Sequence, residues 1–293
     1  MLAFALFEGA LRVHEALPLA RTLPANFWTL HPDLRGFAMT DAGGGVTMVN
    51  SNALGLRERD ISAEKPPGTY RILCLGDSWT FGQGVADEET FARRLEALLG
   101  KRVQVVNAGL PGFSYFQGYH LLRQLLPVYR PDLVLVCGFN QFGNRHIPEM
   151  EEALPRDPLA ARILGALRRT RAYMLLRHEV QRLAPPSENR PPDPATADAA
   201  GIRYARGIAN VAARGGARVA FFNHAFLTPH EPDPVLDALA ADGLPTTRIH
   251  PVRSVGERPP FMLPADPTHP SARGHAAMAR ALAVWLRGLH LIQ

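Results

Sequence analysis

The sequence predicts an α/β domain, a three-layer α/β/α sandwich built on a parallel five-stranded sheet. Short apolar runs alternate with amphipathic helical segments, and this alternation is typical of doubly wound parallel sheets. The chain has 293 residues, of which 46% are hydrophobic and 20% are charged. That length and composition are sufficient for a large buried core and exclude a disordered chain.

Five short apolar runs are the predicted strands of this sheet. They are residues 70–75, 103–106, 132–137, 217–222 and 247–250. Five amphipathic segments are the predicted helices. They are residues 88–99, 115–126, 195–213, 233–241 and a last helix from about Ser271. Gly100 and Pro127 are the expected stops of the first two helices, and Ser114 is the expected cap of the second.

The spacing of apolar residues predicts the buried faces of two helices. In the helix at 88–99 the face consists of Phe91, Leu95, Leu98 and Leu99. In the last helix it consists of Met278, Leu282, Trp285 and Leu289.

Two regions depart from the alternating pattern. Residues 1–67 are predicted to form an N-terminal helix and an extended arm, with a short strand at Val46–Val49, beside a main domain at 68–293. Residues 141–194 are predicted to be a helical insertion over the site, ending in a proline-rich linker. The insertion carries an apolar stripe (Leu159, Ile163, Leu167) and six arginines between positions 162 and 182. Such a segment is either a solvated helix face or a lid that contacts acidic glycans or lipid headgroups.

The N-terminal residues Met1–Phe7 are apolar but lack the positive segment and the cleavage site of a signal peptide. They fit either the last turns of a membrane anchor or an ordinary amphipathic helix. The location therefore stays open between the cell envelope and the cytoplasm. No run of about 20 apolar residues is present for a complete spanning helix.

The net charge of +5 comes from scattered arginines, since Lys65 and Lys101 are the only lysines. This distribution argues against a nucleic-acid partner. Cys74 and Cys137 are the only cysteines, which excludes a disulfide scaffold and a four-cysteine zinc site. Both lie in predicted buried strands, so we expect inert core thiols.

Two segments carry the residues of a nucleophilic site. Gly76-Asp77-Ser78 follows the first sheet strand, so Ser78 faces the crevice where open α/β sheets bind ligands. Asp266 and His269 precede the last helix, at a spacing that can place the carboxylate on the imidazole. Taken alone, each segment has an ordinary explanation, because a lone Asp-Ser is a common helix cap and Asp-x-x-His is common in turns.

Two further segments can supply hydrogen-bond donors to a developing negative charge. Gly109 follows the second strand, and Gly138-Phe139-Asn140 follows the third. Glycine lets a backbone N–H approach a ligand and asparagine brings an amide donor, so both suit an oxyanion hole. A tight turn and a helix cap are the alternatives. In the strand order 2-1-3-4-5, Ser78 and Asn140 lie at adjacent strand ends.

These four segments, in this order, resemble the motif blocks of the SGNH hydrolases, also called the GDSL esterase/lipase superfamily. The resemblance implies that Ser78 is the nucleophile, His269 the base and Asp266 the residue that orients it. It further implies an oxyanion hole made of the N–H groups of Ser78 and Gly109 and the side chain of Asn140. No metal or organic cofactor is implied.

The resemblance covers about residues 68–289 and includes two departures. Trp79 follows the serine where leucine or phenylalanine is usual, a change we expect to be harmless. Gln141 stands where the family has an aspartate after Asn140. This departure bears on the rigidity of the loop rather than on the role of Asn140.

The expected function is therefore that of a serine esterase that cleaves carboxylic esters through an acyl-enzyme. The expected substrate carries a small acyl group such as acetyl, on a carbohydrate or another alcohol. An O-acyltransferase that acts on envelope polysaccharide with the same triad is the first alternative. A glycan-binding module with a decayed site is the second, and the intact Ser78, Asp266 and His269 argue against it. The arginine-rich insertion adds an expected contact with membrane surfaces or glycans.

Overall fold

A computed structural model describes residues 20–23, 27–40, 44–139, 144–152, 154, 193–224, 232–250 and 260–292, with single positions between 159 and 176. The predicted N-terminal helix, Asn140, Gln141 and most of the insertion with its linker lie outside the described residues.

Two antiparallel hairpins lie in the N-terminal arm. Strand β1 (Ala20–Leu23) pairs with β2 (Phe27–Leu30), and β3 (Phe37–Thr40) pairs with β4 (Val46–Val49). The short strand predicted at Val46–Val49 is thus confirmed.

A parallel five-stranded sheet follows the arm in the described part of the chain. Its strands are β5 (Tyr70–Gly76), β6 (Val103–Gly109), β7 (Leu133–Cys137), β8 (Arg218–His224) and β9 (Thr246–Ile249). They are ordered β6-β5-β7-β8-β9, which is 2-1-3-4-5 in the order of the sheet's own strands. The predicted topology is confirmed, so β5 and β7 lie side by side at the switch point.

Helices connect these strands. They are α1 (Ser78–Phe81), α2 (Phe91–Leu99), α3 (Tyr115–Tyr129), α4 (Ile147–Glu152), α5 (Pro194–Arg214), α6 (Pro234–Ala241) and α7 (Ala272–Gly288). One 3₁₀ turn, Asp87–Glu89, precedes α2 and replaces the start at residue 88 that the sequence predicts.

The strands alternate their side chains between two cores, which gives the three predicted layers. Leu73 and Leu75 of β5 pack in one core with side chains of α3, α5 and α6. Ile72 and Cys74 point to the other core, beneath α2 and α7. Cys74 and Cys137 are both free and buried, and burial raises the pKa of both thiols.

Two predicted core leucines are exposed instead. Leu98 is 43% exposed, because the buried face of α2 follows the i, i+4, i+8 spacing from Phe91 to Leu99. Leu289 is 37% exposed because α7 ends at Gly288, and Leu286 takes its place in the core.

The sequence predicts that the helix now labelled α3 ends before Pro127, and this prediction is wrong. The helix continues to Tyr129, and the N–H of Arg130 donates to Leu126 O. Burial of Tyr129 stabilises this last turn, and its hydroxyl accepts a hydrogen bond of 3.0 Å from Asn52 Nδ2 in the arm. Proline costs the helix one N–H donor here but does not stop it.

The arm packs on the sheet domain through apolar side chains. Leu30 and Val49 form a small buried cluster with Phe81, which lies in α1. Leu56 is completely buried in the core that α3, α5 and α6 cover.

Helix α4 lies near the start of the insertion. Glu151 accepts hydrogen bonds from Arg203 and Tyr204 of α5, which fixes α4 against that helix. Leu159, Ile163 and Leu167 of the predicted apolar stripe are all exposed. Within the part of the chain that the structure describes, none of the helices combines the length and hydropathy needed to cross a bilayer.

Candidate active site

Ser78 is the first residue of α1 and lies two positions after the glycine that ends β5. Asp77 is the N-cap of this helix and is buried, and its Oδ1 accepts a hydrogen bond of 3.0 Å from Trp79 N. Asp77 therefore has the ordinary role of an aspartate before a helix, which is to cap its first N–H groups. The strand end and the cap together hold Ser78 at the carboxyl edge of the sheet.

A turn before α7 brings His269 to this serine. His269 Nε2 lies 2.9 Å from Ser78 Oγ, and His269 Nδ1 lies 2.6 Å from Asp266 Oδ2. Because the carboxylate of Asp266 can only accept, the hydrogen-bond pattern places the imidazole proton on Nδ1. The lone pair of Nε2 then faces the serine hydroxyl. Ser78, His269 and Asp266, predicted from three separate sequence positions, therefore form one hydrogen-bonded series.

The Asp266 carboxylate is held in its ionised form. Burial by itself raises the pKa of Asp266, but hydrogen bonds from Thr268 and His269 outweigh it, so the pKa lies below its ordinary value. Asp266 Oδ1 accepts from Thr268 N at 3.2 Å and from Thr268 Oγ1 at 2.5 Å. A buried carboxylate that stays charged stabilises an imidazolium next to it.

Trp79 joins the two halves of this arrangement. Its buried indole Nε1 donates a hydrogen bond of 3.1 Å to Thr268 O, so α1 and the turn that carries His269 are linked directly. The tryptophan that follows Ser78, expected to be a harmless departure, thus makes a contact that leucine or phenylalanine cannot make. The signal was its N–H group, because leucine and phenylalanine have no donor and a buried indole needs an acceptor.

Gly109 does not fit the oxyanion role that the sequence suggested. Its N–H donates a hydrogen bond of 3.0 Å to Asn107 Oδ1 and is therefore already used. A Cβ atom at Gly109 would lie 2.2 Å from Phe81 N and 2.5 Å from the carbonyl carbon of Thr80. Glycine is needed here because the backbones of α1 and strand β6 are in direct contact. Gly109 therefore serves the packing of these two elements and not, as the sequence suggested, the binding of a ligand.

Gly112, the next glycine along the chain, lies in the turn after β6, and its N–H is not part of that turn's hydrogen bond. Phe113 N donates to Leu110 O, Pro111 is the second residue of this turn and Gly112 is the third, with φ +74°. That is the pattern of a type II turn, in which the central N–H is directed away from the turn's own hydrogen bond. A Cβ at Gly112 would meet nothing within 4 Å, so this backbone borders open space.

The loop after β7 leads to Asn140, which lies outside the described residues. Its neighbour Phe139 is buried, and the Phe139 ring packs edge-on against Tyr115 at 4.8 Å. On the far side of the loop, Asn144 Oδ1 accepts a hydrogen bond of 3.3 Å from Tyr115 N. Both ends of the loop are thus attached to the start of α3, although Gln141 replaces the usual aspartate.

No group of three or more potential metal ligands comes together among the described residues. His275, one of the histidines near this site, is fully buried in α7, and its Nδ1 accepts a hydrogen bond of 3.1 Å from Phe91 N. Burial, together with the positive charges of Arg57 and Arg94, lowers the pKa of His275 to about 3. This imidazole is therefore neutral and supports the packing of α7 on α2.

A doubly wound sheet with serine, histidine and carboxylate hydrogen-bonded in series at its carboxyl edge is an arrangement typical of serine-dependent acyl hydrolases. Comparison with protein families agrees with this. Residues 74–277, well over half of the chain, match the model of the GDSL-like Lipase/Acylhydrolase family. The chain belongs to this family and is a hydrolase that acts on ester bonds.

Similar solved structures include the protein TesA (16% identity, TM-score 0.48), with 75% of this chain and 99% of that chain covered. A carbohydrate acetylesterase family member from Sinorhizobium meliloti has 15% identity and a TM-score of 0.47, covering 75% and 98%. The psychrotrophic esterase EstA from Pseudoalteromonas sp. has 13% identity and a TM-score of 0.46, covering 74% and 98%. A search of curated proteins found no match. Since all three TM-scores are below 0.5, the family assignment rests on the sequence match.

Proposed function

We propose that this hydrolase is a serine esterase that works through an acyl-enzyme on Ser78, with His269 as the base and Asp266 as its partner. The hydrogen-bonded series from Ser78 Oγ through His269 to Asp266 supports this proposal most directly. A serine hydroxyl is a weak nucleophile unless an adjacent base accepts its proton. The 2.9 Å contact is within the reach that such a transfer needs.

In the first step, Ser78 Oγ attacks the ester carbonyl carbon while its proton moves to His269 Nε2. The resulting imidazolium is stabilised by the ionised Asp266 beside it. When the tetrahedral intermediate collapses, the ester C–O bond breaks and His269 gives the proton to the leaving alcohol. The acyl group is then bound to Ser78 Oγ.

The negative charge on the carbonyl oxygen of the intermediate requires preorganised donors. We propose three of them: the N–H of Ser78, the N–H of Gly112 and the side chain of Asn140. Gly112 takes the place first assigned to Gly109, since the Gly109 N–H is already bound to Asn107 Oδ1. The turn geometry of Gly112 and the open space beside it support this assignment.

In the second step, water attacks the acyl-enzyme with His269 again as the base, and the acid is released. If an alcohol such as a sugar hydroxyl takes the place of water, the same residues perform acyl transfer. An acceptor series separates the two outcomes, because hydrolysis consumes ester without added alcohol whereas a transferase depends on it.

For the acyl group, we propose a short one such as acetyl, carried on a carbohydrate or another alcohol. A series of p-nitrophenyl esters from acetyl to decanoyl tests this proposal, with and without a sugar acceptor. Highest kcat/KM at two to four carbons agrees with it, and a preference for long chains contradicts it.

The nucleophile assignment is tested by Ser78→Ala. We expect turnover to fall by at least about 10³-fold and labelling by a fluorophosphonate to vanish, because the attacking oxygen is lost. The denaturant midpoint should stay near that of the wild type, since the residue is small and lies at a strand end. Residual activity within about tenfold of wild type would exclude Ser78, because this corresponds to a barrier change of only ~1.4 kcal/mol.

A further inference from the structure

Arg57 lies in the N-terminal arm, outside the matched residues 74–277, yet it is buried beneath the helix that carries Ser78. Its side chain is 1% exposed. Its guanidinium carbon lies 5.0 Å from the centre of the Phe81 ring. A buried guanidinium is costly unless its donors are satisfied, so its contacts show what it holds in place.

The guanidinium donates to three backbone carbonyls, two at the end of α1 and one in the turn that follows it. Nη1 donates to Phe81 O at 3.3 Å and to Gly82 O at 2.5 Å, and Nη2 donates to Val85 O at 2.6 Å. The last carbonyls of a helix have no partners within the helix itself. Helix α1 is only four residues long. Asp77 accepts from an N–H at its N-terminal end, and Arg57 donates to carbonyls at its C-terminal end.

These contacts lead directly to the backbone of Ser78. The N–H of Gly82, whose carbonyl Arg57 binds, donates to Ser78 O at 2.9 Å. Gln83 N also donates to Ser78 O, at 3.1 Å. The guanidinium is therefore separated from the nucleophile's backbone by one residue and two hydrogen bonds.

The orientation of Arg57 is itself fixed. Its Nε donates to Asp87 Oδ1 at 2.6 Å, and the other oxygen of Asp87 accepts from Asn50 Nδ2 at 2.7 Å. Asn50 belongs to the same arm, so the carboxylate of Asp87 is held between two arm residues. The plane of the guanidinium is thereby fixed toward the carbonyls of α1.

We propose that Arg57 is a positioning residue for the reaction at Ser78, which makes the N-terminal arm part of the catalytic framework. The inference rests on the proposed function, in which Ser78 Oγ must stay aligned with His269 Nε2. Displacement of a reacting group by about 1 Å can cost on the order of 10²-fold in rate. Helix α1 is one turn long, and its other attachments are the Asp77 cap, the hydrogen bond from Trp79 to Thr268 O and its packing on β6, so Arg57 is what holds its C-terminal end.

Lysine cannot replace arginine in this role. The planar guanidinium reaches Asp87 and the carbonyls of Gly82 and Val85 in three directions at once, whereas an ammonium is a compact point charge on a flexible stem. Arg57→Lys therefore keeps the charge and loses the geometry, which isolates positioning from electrostatics.

The chain offers a matched control in Arg71. It is also completely buried, and it donates to Tyr129 O at 2.6 Å, to Ser62 O at 3.0 Å and to the side chain of Gln104. It lies near the beginning of β5, at the opposite edge of the sheet from Ser78. Arg71→Lys makes the same chemical change and the same kind of backbone loss away from the site.

The experiment compares both variants of the full chain with wild type in kcat, KM, fluorophosphonate labelling rate and urea midpoint, well below the unfolding temperature. For Arg57→Lys we expect kcat and the labelling rate to fall at least tenfold with KM changed less than about threefold. For Arg71→Lys we expect a lowered midpoint with kcat within about twofold of wild type. Equal kcat losses in the two variants, or none in Arg57→Lys, would overturn the proposal.

If Arg57→Lys does not fold, Asp87→Asn decides the question, because it keeps the guanidinium and removes the carboxylate that orients it. A threefold or larger fall in kcat at unchanged KM supports the proposal, and wild-type kcat overturns it. The outcome is distinct from failure of the proposed function, which would appear as turnover that survives Ser78→Ala. In that case Arg57 has no nucleophile to position, whatever the lysine variant shows.

Discussion

The substitution Gly109→Ala distinguishes two possible roles of Gly109, the donation of its N–H to an oxyanion and the close packing of β6 against α1. If Gly109 donated its N–H to an oxyanion, alanine would preserve that donor and change little. In the structure the N–H is bound to Asn107 Oδ1, and the missing Cβ is what allows strand β6 to touch α1. We therefore expect a large loss of activity from a single added methyl group.

The size of the loss follows from the distances. The new Cβ would lie 2.2 Å from Phe81 N and 2.5 Å from the carbonyl carbon of Thr80, whereas ordinary contact begins near 3.4 Å. The opposing atoms belong to backbone, which cannot rotate away, so α1 must move by about 1 Å. Such a shift of the helix that carries Ser78 should lower kcat on the order of 10²-fold. Overpacking of this kind also destabilises the fold by about 1–3 kcal/mol.

The assay measures kcat and KM on p-nitrophenyl acetate, the rate of fluorophosphonate labelling and the urea midpoint. Gly215→Ala is the control, because its Cβ would lie 2.4 Å from the side chain of Leu126, away from the site. It should lower the midpoint and leave kcat near wild type. If Gly109→Ala keeps kcat within threefold of wild type, the packing explanation is wrong.

Two further predictions concern Asn140 and His275. Asn140→Ala should lower kcat by about 10²–10³-fold with little change in KM, because the bond to the oxyanion forms fully only in the transition state; a normal kcat with about 1 kcal/mol of lost stability would make it a cap instead. Burial lowers the pKa of His275 to about 3, so the imidazole is neutral in the folded state. In the unfolded chain the same residue takes up a proton below about pH 6.5. The free energy of unfolding is therefore highest above that pH and falls by about 2 kcal/mol between pH 7 and 5. His275→Asn should remove this component in urea titrations at the two pH values, and an unchanged pH dependence would contradict the explanation.

The sheet could be predicted because each strand is a local pattern. An apolar run such as Leu133–Cys137 is buried on both faces, so its sequence alone indicates a central parallel strand. Ser78, Asp266 and His269 could be predicted for a related reason. Their motifs stand at strand ends or just before a helix, and the topology of the sheet brings those ends to one edge.

Contacts between distant segments could not be predicted in this way. The hydrogen bond from Trp79 to Thr268 O joins residues 189 positions apart, and nothing near Trp79 in the sequence indicates the partner. The packing role of Gly109 could not be predicted for the same reason. A glycine after a strand fits a ligand contact and a backbone crossing equally well, and only the position of α1 distinguishes them.

Contacts of the N-terminal arm bear on the predicted domain boundary between residues 67 and 68, which stays a prediction. Arg57 and Glu58 are adjacent buried side chains that contact the two elements beside Ser78, and burial raises the pKa of Glu58 to about 8. Arg57 binds Gly82 O at the end of α1, while Glu58 Oε2 accepts from Asn107 N at 2.8 Å, near the end of β6.

Glu58 also pairs with Arg93 of α2 at 2.7 Å. A chain without the arm would remove one acceptor from the Arg93 guanidinium and would leave the buried Asn107 N–H without its acceptor, and an unsatisfied buried donor is destabilising. Asn107 is in turn the residue whose side chain binds Gly109 N. We therefore propose that the arm up to Glu58 belongs to the catalytic domain itself, because it supports both backbone segments between which Ser78 is placed.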